Sequence, residues 1–201
     1  RTHDGRPVPI VINLFASKQR LAWALGCQTI DEAVRRIEAP REMGPSAGGG
    51  LWDKLRLLGK LAEWSSALPR SVGKAACQEI VVRGDELERR GLLDMMPVLT
   101  TWPLDGGPYL TLPLVITRHP ETRRRNIGLY RLQVYDGRTT GMHWQIHKTG
   151  AAHHQAYERR GERMPVVVAI GGPPALTYAA TAPLPDDIDE ALLAGFLTGE
   201  P

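Results

Sequence analysis

The central part of the sequence alternates short apolar, β-branched segments with turn signals, and this alternation limits the possible folds more than any other feature. Leu110–Thr117 and Ile127–Tyr135 are two such segments, and Met142–His147 continues the series. Asp136-Gly137, between the second and the third, is a pair typical of two-residue hairpin turns. Since short turns join antiparallel strands, whereas parallel strands need long crossovers, we expect an antiparallel β domain here.

The N-terminal part of the chain carries a different pattern. Val8–Phe15 is apolar and β-branched, which is typical of a strand. Thr29 and Glu32 have the spacing of a capping box and predict a helix over Ile30–Glu38. Leucines at helical spacing predict a further helix over Leu51–Ala67. These segments together indicate an α/β portion.

The texture of the sequence changes after Pro69, and we place a domain boundary near residues 70 to 85. Residues 1–80 then form an N-terminal α/β portion, which is incomplete, and residues 81–201 form a second, β-rich domain. The predicted fold class is therefore α+β. At 201 residues the chain is long enough to bury a sizeable core.

The composition argues against some classes of function. The chain has 25 basic and 22 acidic residues, a balance too even to indicate nucleic-acid binding, although Arg123–Arg125 form a local basic cluster. No apolar run is long enough for a membrane-spanning helix. Cys27 and Cys77 stand alone in the sequence, with no metal-type spacing around either, and such unpaired cysteines are typical of a cytoplasmic protein.

The Asp136-Gly137 turn also predicts a pair of metal ligands. If these two residues alone form the turn, the register of the hairpin places Asn126 opposite His147. Facing residues in an antiparallel pair have Cβ atoms about 4.5–5.5 Å apart, so an amide oxygen and an imidazole nitrogen can reach one ion. Mn²⁺ or Mg²⁺ accepts this mixture, preferably with a carboxylate added. A longer turn, extending to Gly141, would change this register, and Asn126 would then no longer lie opposite His147.

Glu190 is the candidate for the carboxylate. Its spacing from Asp187 also fits a capping box, in which case it serves only the start of a helix. Asn126 and His147, taken alone, are equally well explained as hydrogen-bonded residues of a half-buried strand. These residues by themselves leave a metal site and a purely structural role both open.

Several motifs, in order along the chain, resemble those of the UbiD decarboxylase family. The run from Asn126 to Val134 is similar to that family's N-x-G-x-Y-R-x-Q-V signature, and His147 falls where the family has a metal-binding histidine. The other segments that resemble the family are Trp102-Pro103 with Asp105-Gly106-Gly107-Pro108, Pro183-Leu184-Pro185-Asp186 with Glu190 and Gly195, and the opening segment from Pro9 to Gly26.

This resemblance implies a site for prenylated FMN, whose phosphate is held by Mn²⁺ and an adjacent K⁺, on a split β-barrel of the flavin-reductase type. The implied Mn²⁺ ligands are Asn126, His147 and Glu190. The residues implied to contact the flavin are Leu129, Tyr130, Arg131, His143, Trp144, Gln145, Lys148 and Thr149. The residues implied to hold the monovalent ion are Ala180, Thr181 and Ala182. A dianionic phosphate in a partly buried site requires such positive charge beside it.

Arg131 is the implied catalytic residue, because the family's arginine at this place lies near the substrate carboxylate. A guanidinium can hold a carboxylate through two parallel hydrogen bonds and stays charged throughout. A solvated strand arginine is the alternative. Asn126 and Arg131 are an odd number of positions apart, so in one regular strand they would point to opposite faces, and a bulge at Gly128 is one way to reconcile them.

The implied function is the reversible, non-oxidative decarboxylation of an aromatic or α,β-unsaturated carboxylic acid by a UbiD-like carboxy-lyase. A flavin prenyltransferase would supply the cofactor, and the full-length form is expected to be a homo-oligomer. The family's acid–base glutamates lie in a Glu-Ile-Val-x-Glu-Gly-like segment beyond the position of Glu190, and no such segment occurs before Pro201. We therefore expect the isolated chain to be inactive without the C-terminal half.

Two other functions are compatible with the sequence. An FMN-binding oxidoreductase of the split-barrel type would consume a nicotinamide cofactor and would not need Mn²⁺. A truncated, non-catalytic module for binding or assembly would not take up a flavin phosphate in a metal-dependent way. His153 and His154 have no ligand-like partner at a useful spacing, and we assign them no role.

Overall fold

Short helices and two small antiparallel sheets make up an α+β fold, which a computed structural model describes for residues 8–38, 68–184 and 188–200. The helices are α1 (Lys18–Ala24), α2 (Ile30–Glu38), α3 (Asp85–Arg90), α4 (Leu92–Met95), α5 (Thr149–Arg159), α6 (Pro174–Ala179) and α7 (Glu190–Thr198), with a 3₁₀ turn at Ala76–Gln78. The strands are β1 (Tyr109–Leu110), β2 (Leu114–Arg118), β3 (Arg125–Leu129), β4 (Leu132–Val134), β5 (Thr140–Met142) and β6 (Val167–Ala169). The predicted helix over Leu51–Ala67 lies outside the described residues.

The six strands form two three-stranded sheets, and every pairing is antiparallel. One sheet has the order β1-β4-β5 and the other has the order β3-β2-β6. The antiparallel β region expected from the sequence is therefore present. No closed barrel is found among the residues that the structure describes.

The chain changes sheets at Tyr130 and Arg131, between β3 and β4. A single strand over Ile127–Tyr135, as the sequence predicted, is therefore wrong. The physical reason is Pro113, which lies between β1 and β2 in the segment that pairs with this one. Proline has no N–H to donate to a sheet ladder, so the partner strand is interrupted there. Since the partner strands are separate, β3 pairs with β2 while β4 pairs with β1. Because the chain changes sheets between Asn126 and Arg131, the directions of their side chains do not depend on a bulge at Gly128.

The hairpin between β4 and β5 has a longer turn than Asp136-Gly137 alone would make. The N–H of Tyr135 donates to the carbonyl of Thr139 at 2.9 Å, so the loop spans residues 135–139. The carboxylate of Asp136 accepts hydrogen bonds from the backbone N–H groups of Arg138 and Thr139, at 2.8 and 2.7 Å. These two hydrogen bonds stabilise a turn that is longer than the two residues on which the predicted register was based.

The longer turn overturns the predicted register. Leu132 lies opposite Met142, one position away from the expected pairing, and Asn126 is not part of this hairpin. Asn126 instead lies opposite Thr117 of β2. The prediction that Asn126 faces His147 across a hairpin is therefore wrong.

The described residues belong to two compact units, and each has its own core. One unit comprises residues 1–12 and 71–171, and the other comprises residues 13–70 and 172–201. The chain after residue 172 thus groups with the earlier helices. The predicted domains, residues 1–80 and 81–201, stay a prediction.

The core of the first unit is formed by residues of β2, of β4 and of the segment that joins β3 to β4. Val115, Tyr130 and Leu132 are fully buried there. The residues that pack around them are Leu110, Met142, Trp144 and Val168. Tyr130 is thus part of the core at the position where the chain changes sheets.

The core of the second unit lies among α1, α2 and α7. Its buried residues are Ala22, Leu25, Cys27, Ala33 and Leu197. α2 begins and ends as predicted, and Glu32 N–H donates to Thr29 Oγ1 at 3.3 Å. The predicted strand over Val8–Phe15 is wrong, because among the residues that the structure describes this segment pairs with no strand, and most of it is exposed. No helix in the described ranges has the length and apolar character needed to cross a membrane.

Candidate functional site

Tyr130 fixes the centre of the candidate site. Its side chain is 3% exposed, and its hydroxyl oxygen accepts a hydrogen bond from the backbone N–H of Gly150 at 2.8 Å. Its ring meets the edge of the Trp144 ring, with the two centroids 4.9 Å apart. One tyrosine therefore joins the end of β3 to the beginning of α5 and to the segment after β5.

Lys148 brings positive charge to the same place. Its ammonium group donates to the carbonyl of Leu129 at 3.0 Å and lies 5.1 Å from the centre of the Tyr130 ring. Lys148 is also the residue before α5, whose first turn carries no acidic side chain. The start of a helix carries partial positive charge, so this end of α5 and the lysine together suit an anionic group such as a phosphate.

Arg131 follows Tyr130 at the point where the chain changes sheets, and it is exposed. Its guanidinium carbon lies 4.3 Å above the centre of the Tyr109 ring, which is cation–π geometry. Its backbone carbonyl accepts a hydrogen bond from the N–H of His143 at 3.0 Å. The backbone of this arginine is therefore fixed, while the edge of its guanidinium can bind a ligand.

Asn126 is buried on β3, and a chain of polar side chains lies beside it. Its Nδ2 donates to Thr117 Oγ1 over a long 3.5 Å, and that hydroxyl is 2.9 Å from Nδ1 of His153 on α5. All three side chains are buried. A carboxamide in such a place can present its oxygen to a cation in one fixed direction.

The remaining residues predicted to contact the flavin surround this centre. Trp144 is half-buried, and its ring also stacks on that of His154 with the centroids 5.8 Å apart. His143, Gln145 and Thr149 are exposed. The structure thus gathers Leu129, Tyr130, Trp144 and Lys148 around the start of α5 and leaves the other side chains open to solvent.

His147 and Glu190, predicted as metal ligands with Asn126, occupy different parts of the fold. His147 is exposed in the turn that precedes α5, and Glu190 is the first residue of α7 in the other compact unit. The residue that caps α7 is Asp189, whose carboxylate accepts from Ala191 N–H at 2.8 Å. Glu190 is therefore not the third residue of a helix capped by Asp187, as the alternative interpretation required.

In residues 8–38, 68–184 and 188–200, no three His, Cys, Asp or Glu side chains are grouped so as to hold a metal ion. The predicted set contains only two side chains of these kinds, His147 and Glu190. Its third member is the amide of Asn126. The predicted metal site therefore stays a prediction.

The predicted monovalent-ion site lies at the C-terminal end of α6. The hydroxyl of Thr181 donates to the carbonyl of Tyr178 at 2.7 Å, and the carbonyl of Ala182 accepts from Leu184 N–H at 2.9 Å. The last carbonyl groups of a helix carry partial negative charge. The end of α6, at Ala180, therefore has the polarity that a cation requires.

Three residues beside the site were not among the sequence predictions: Thr117, His153 and Tyr109. Helical spacing could have revealed His153, since Gly150, His153 and Tyr157 recur at i, i+3 and i+7 and form the buried face of α5. Alternation along β2 could have revealed Thr117, two positions after the buried Val115. Nothing local identifies Tyr109, because it meets Arg131 only through the pairing of β1 with β4.

A cavity near the β4–β5 loop is separate from this cluster. It has charged residues of both signs and contains none of the predicted site residues. Its lining residues are Glu88, Arg89, Gly91, Asp94, Asp136, Gly137, Arg138 and Thr139.

Comparison with known proteins identifies the family that this geometry belongs to. The profile of the 3-octaprenyl-4-hydroxybenzoate carboxy-lyase Rift-related domain, the UbiD domain, matches residues 70–201. The chain belongs to the UbiD family. The matched residues include Leu129, Tyr130, Trp144 and Lys148, which the structure gathers around the start of α5. They also include the three candidate Mn²⁺ ligands, Asn126, His147 and Glu190.

A sequence relative of this UbiD-family chain extends the likeness to its N-terminal part. An uncharacterized protein of Archaeoglobus fulgidus is 43% identical over 98% of the chain. The aligned part is 39% of that protein, so the chain spans about two fifths of the length of this relative.

Solved structures of UbiD-class enzymes have the same fold. The apo 3,4-dihydroxybenzoic acid decarboxylase of Enterobacter cloacae is 26% identical with a TM-score of 0.70, over 96% of this chain and 36% of that one. HmfF from Pelotomaculum thermopropionicum, in complex with FMN, is 24% identical with a TM-score of 0.70, over 92% and 36%. An evolved dimeric form of HmfF in complex with prFMN gives the same identity and TM-score over 92% and 37%.

Proposed function

We propose that this chain supplies the cofactor-binding part of a non-oxidative, reversible decarboxylase that acts on an aromatic or α,β-unsaturated carboxylic acid with prenylated FMN. The observation that carries the proposal is the convergence of Tyr130, Lys148 and the start of α5, next to Arg131. Membership of the UbiD family and the flavin complexes of HmfF support the choice of cofactor.

Several residues would hold the flavin and its phosphate. Lys148 would supply positive charge and hydrogen-bond donors to the phosphate, and the partial positive charge at the start of α5 would add to its field. The half-buried Trp144 would offer a ring edge to the flavin and Leu129 an apolar contact, while the buried ring of Tyr130 would support that of Trp144. The exposed residues that would complete the contacts are His143, Gln145 and Thr149.

The metal ions belong to the same proposal. Mn²⁺ would be held by Asn126, His147 and Glu190, a mixed amide, imidazole and carboxylate set that suits this cation. K⁺ would be held by backbone and hydroxyl oxygens of Ala180, Thr181 and Ala182. Both cations offset the charge of a phosphate removed from water.

Arg131 would bind and orient the substrate. Its guanidinium can hold the carboxylate through two hydrogen bonds, and the contact with the Tyr109 ring restrains its position. Prenylated FMN, when bound, would supply the electron sink for loss of CO₂. Arg131 would keep the carboxylate in one place until CO₂ leaves.

Other parts of the proposal concern the whole protein. The two sheets would belong to a split β-barrel of the flavin-reductase type. Supply of the cofactor by a flavin prenyltransferase, a homo-oligomeric full-length form and a cytoplasmic location stay predictions.

The experiment is co-expression of the protein with a flavin prenyltransferase, followed by metal analysis and an absorbance spectrum. We expect a bound flavin together with Mn²⁺, and its loss in Asn126→Ala and His147→Ala. Gln155→Ala, at an exposed position of α5, is the matched control and should retain both. Unchanged retention in the two ligand variants would remove the ligand assignment.

The FMN-dependent oxidoreductase gives a different result in the same preparation. It would consume NAD(P)H and keep FMN after treatment with a chelator. The non-catalytic module would show no metal-dependent uptake of a flavin phosphate. Membership of the UbiD family favours the decarboxylase over the oxidoreductase, and the flavin and metal content of the preparation separates it from the module.

A further inference from the structure

Asn126, Thr117 and His153 form one buried line of polar groups. Asn126 Nδ2 donates to Thr117 Oγ1 at 3.5 Å, and Thr117 Oγ1 lies 2.9 Å from His153 Nδ1. We propose that His153 is a positioning residue that acts through Thr117 to turn the carboxamide oxygen of Asn126 toward the metal ion. This inference rests on the proposed role of Asn126 as a ligand.

The direction of the hydrogen bonds carries the argument. An amide NH₂ only donates, so Thr117 must use an oxygen lone pair to accept from Asn126. The hydroxyl proton of Thr117 then points elsewhere, and His153 Nδ1 is the acceptor within reach. We assign the imidazole proton to Nε2, the tautomer in which Nδ1 accepts from Thr117. With the NH₂ end of the amide held in this way, the oxygen is the end that is left to bind a cation.

Burial makes this direction hard to replace with water. The exposed fractions are 1% for Thr117, 6% for Asn126 and 4% for His153. A buried donor or acceptor that loses its partner is strongly unfavourable, so each group keeps the bond that its neighbour permits.

The ring of His153 is itself held in place. The ring of His119 packs edge-on against it, with the centroids 5.4 Å apart and the planes 80° apart. His119 is fixed in turn, because its Nδ1 accepts from the backbone N–H groups of Glu121 and Thr122 at 3.2 and 3.3 Å. The orientation of His153 is therefore set by the turn between β2 and β3 as well as by α5.

Loss of either link should allow the amide to turn over. Without an acceptor at His153, the hydroxyl of Thr117 can donate to Asn126, which then offers its oxygen to Thr117 and its NH₂ to the metal. An amide NH₂ group has no lone pair suited to a cation. Changes in groups that orient a metal ligand typically weaken metal binding about 10- to 100-fold, and we expect that range here.

The experiment measures Mn²⁺ binding to the full chain in the presence of FMN, by titration calorimetry and by the EPR signal of free Mn²⁺. Thr117→Val and His153→Leu remove the links and should raise the Kd of Mn²⁺ about 10- to 100-fold. Thr117→Ser keeps the hydroxyl, and His153→Asn can place an oxygen where Nδ1 lies. Both conservative variants should bind Mn²⁺ nearly as the wild type does, with a loss well below the about 10-fold lower end of that range.

A change of the ligand itself separates orientation from packing. In Asn126→Asp either carboxylate oxygen can bind the ion, so orientation no longer matters. We expect His153→Leu to have no further effect on Mn²⁺ affinity in that background, although it still lowers the melting temperature. An equal loss of affinity in both backgrounds would mean a packing role and would overturn the inference.

The remaining outcomes distinguish the inference from the proposed function. If Asn126→Ala abolishes Mn²⁺ binding while Thr117→Val and His153→Leu bind as the wild type does, the inference is wrong and the ligand assignment stands. If His153→Asn loses as much affinity as His153→Leu, the acceptor role is wrong. If Asn126→Ala binds Mn²⁺ normally, the proposed metal site itself fails.

Discussion

The guanidinium of Arg131 lies over the ring of Tyr109, with its central carbon 4.3 Å from the ring centre. The two residues are far apart in the sequence, and the pairing of β1 with β4 brings them together. A stacked guanidinium keeps its N–H edge free, which is the edge that binds a carboxylate. Tyr109 therefore prepares Arg131 for an acidic ligand.

Tyr109→Leu should weaken the binding of an aromatic carboxylate to the FMN-loaded protein. Exposed cation–π contacts contribute about 0.5–1 kcal/mol, which corresponds to about a two- to fivefold rise in Kd. Titration calorimetry with benzoate measures the effect. Tyr109→Phe keeps the ring and should bind as the wild type does; an equal loss in both variants would assign the effect to the hydroxyl instead.

Gly128→Ala should destabilise the first compact unit. A Cβ at this position would lie 2.5 Å from Cε2 of Tyr130, whose ring is buried and cannot move aside. Overpacking of this kind costs about 1–3 kcal/mol. Urea unfolding measures the change. Gly73→Ala is the matched control, because nothing lies within 4 Å of its Cβ, and a comparable loss there would contradict the explanation.

Tyr130→Phe should loosen the beginning of α5. The variant removes the acceptor of the Gly150 N–H in a buried place, and a lost partner of this kind costs about 1–3 kcal/mol. We expect a lower urea midpoint and faster hydrogen exchange at the Gly150 amide. Tyr135→Phe, at an exposed tyrosine, should change neither quantity; protection of the Gly150 amide that survives in Tyr130→Phe would contradict the assigned role.

Asp136 should make the stability of the β4–β5 hairpin depend on acid. Hydrogen bonds from the backbone of Arg138 and from Thr139 hold the pKa of the Asp136 carboxyl below its ordinary value. A lowered pKa in the folded state stabilises the fold above the ordinary aspartate pKa, near about 4, and this contribution is lost as the pH falls through the folded value.

The variant Asp136→Ala should therefore unfold at lower urea than the wild type at pH 7. The difference between the two midpoints should shrink only below the ordinary aspartate range, as the wild-type carboxylate becomes protonated. Urea titrations at several pH values check this. A difference that is the same at every pH would show that the charge of Asp136 contributes nothing.

Local signals in the sequence predicted local structure well. The bounds of α2 were predicted in full, because the cap formed by Thr29 and Glu32 is made within the segment itself. The motif from Asn126 to Val134 pointed to Leu129 and Tyr130, which the structure places beside the start of α5, and their roles in binding the flavin stay predictions.

Long-range pairing was not predictable in the same way. Val8–Phe15 has the composition of a strand, but a strand needs a partner, and none is paired with it in the described part of the chain. Asn126 faces Thr117 because β2 is the strand that lies beside β3. The hydrogen bonds that Asp136 accepts make the β4–β5 turn longer, and this shifts the register from which Asn126 was expected to face His147. Such facts are properties of pairs of segments, whereas composition and spacing describe one segment at a time.

The change of sheets at Tyr130 and Arg131 gives the motif from Asn126 to Val134 two separate mechanical supports. The amide of Asn126 is held by β2 and α5, whereas Arg131 is held by β1 and β5. A lineage could therefore accumulate substitutions around Arg131, and so adapt to differently shaped acids, without altering the ladder that holds Asn126.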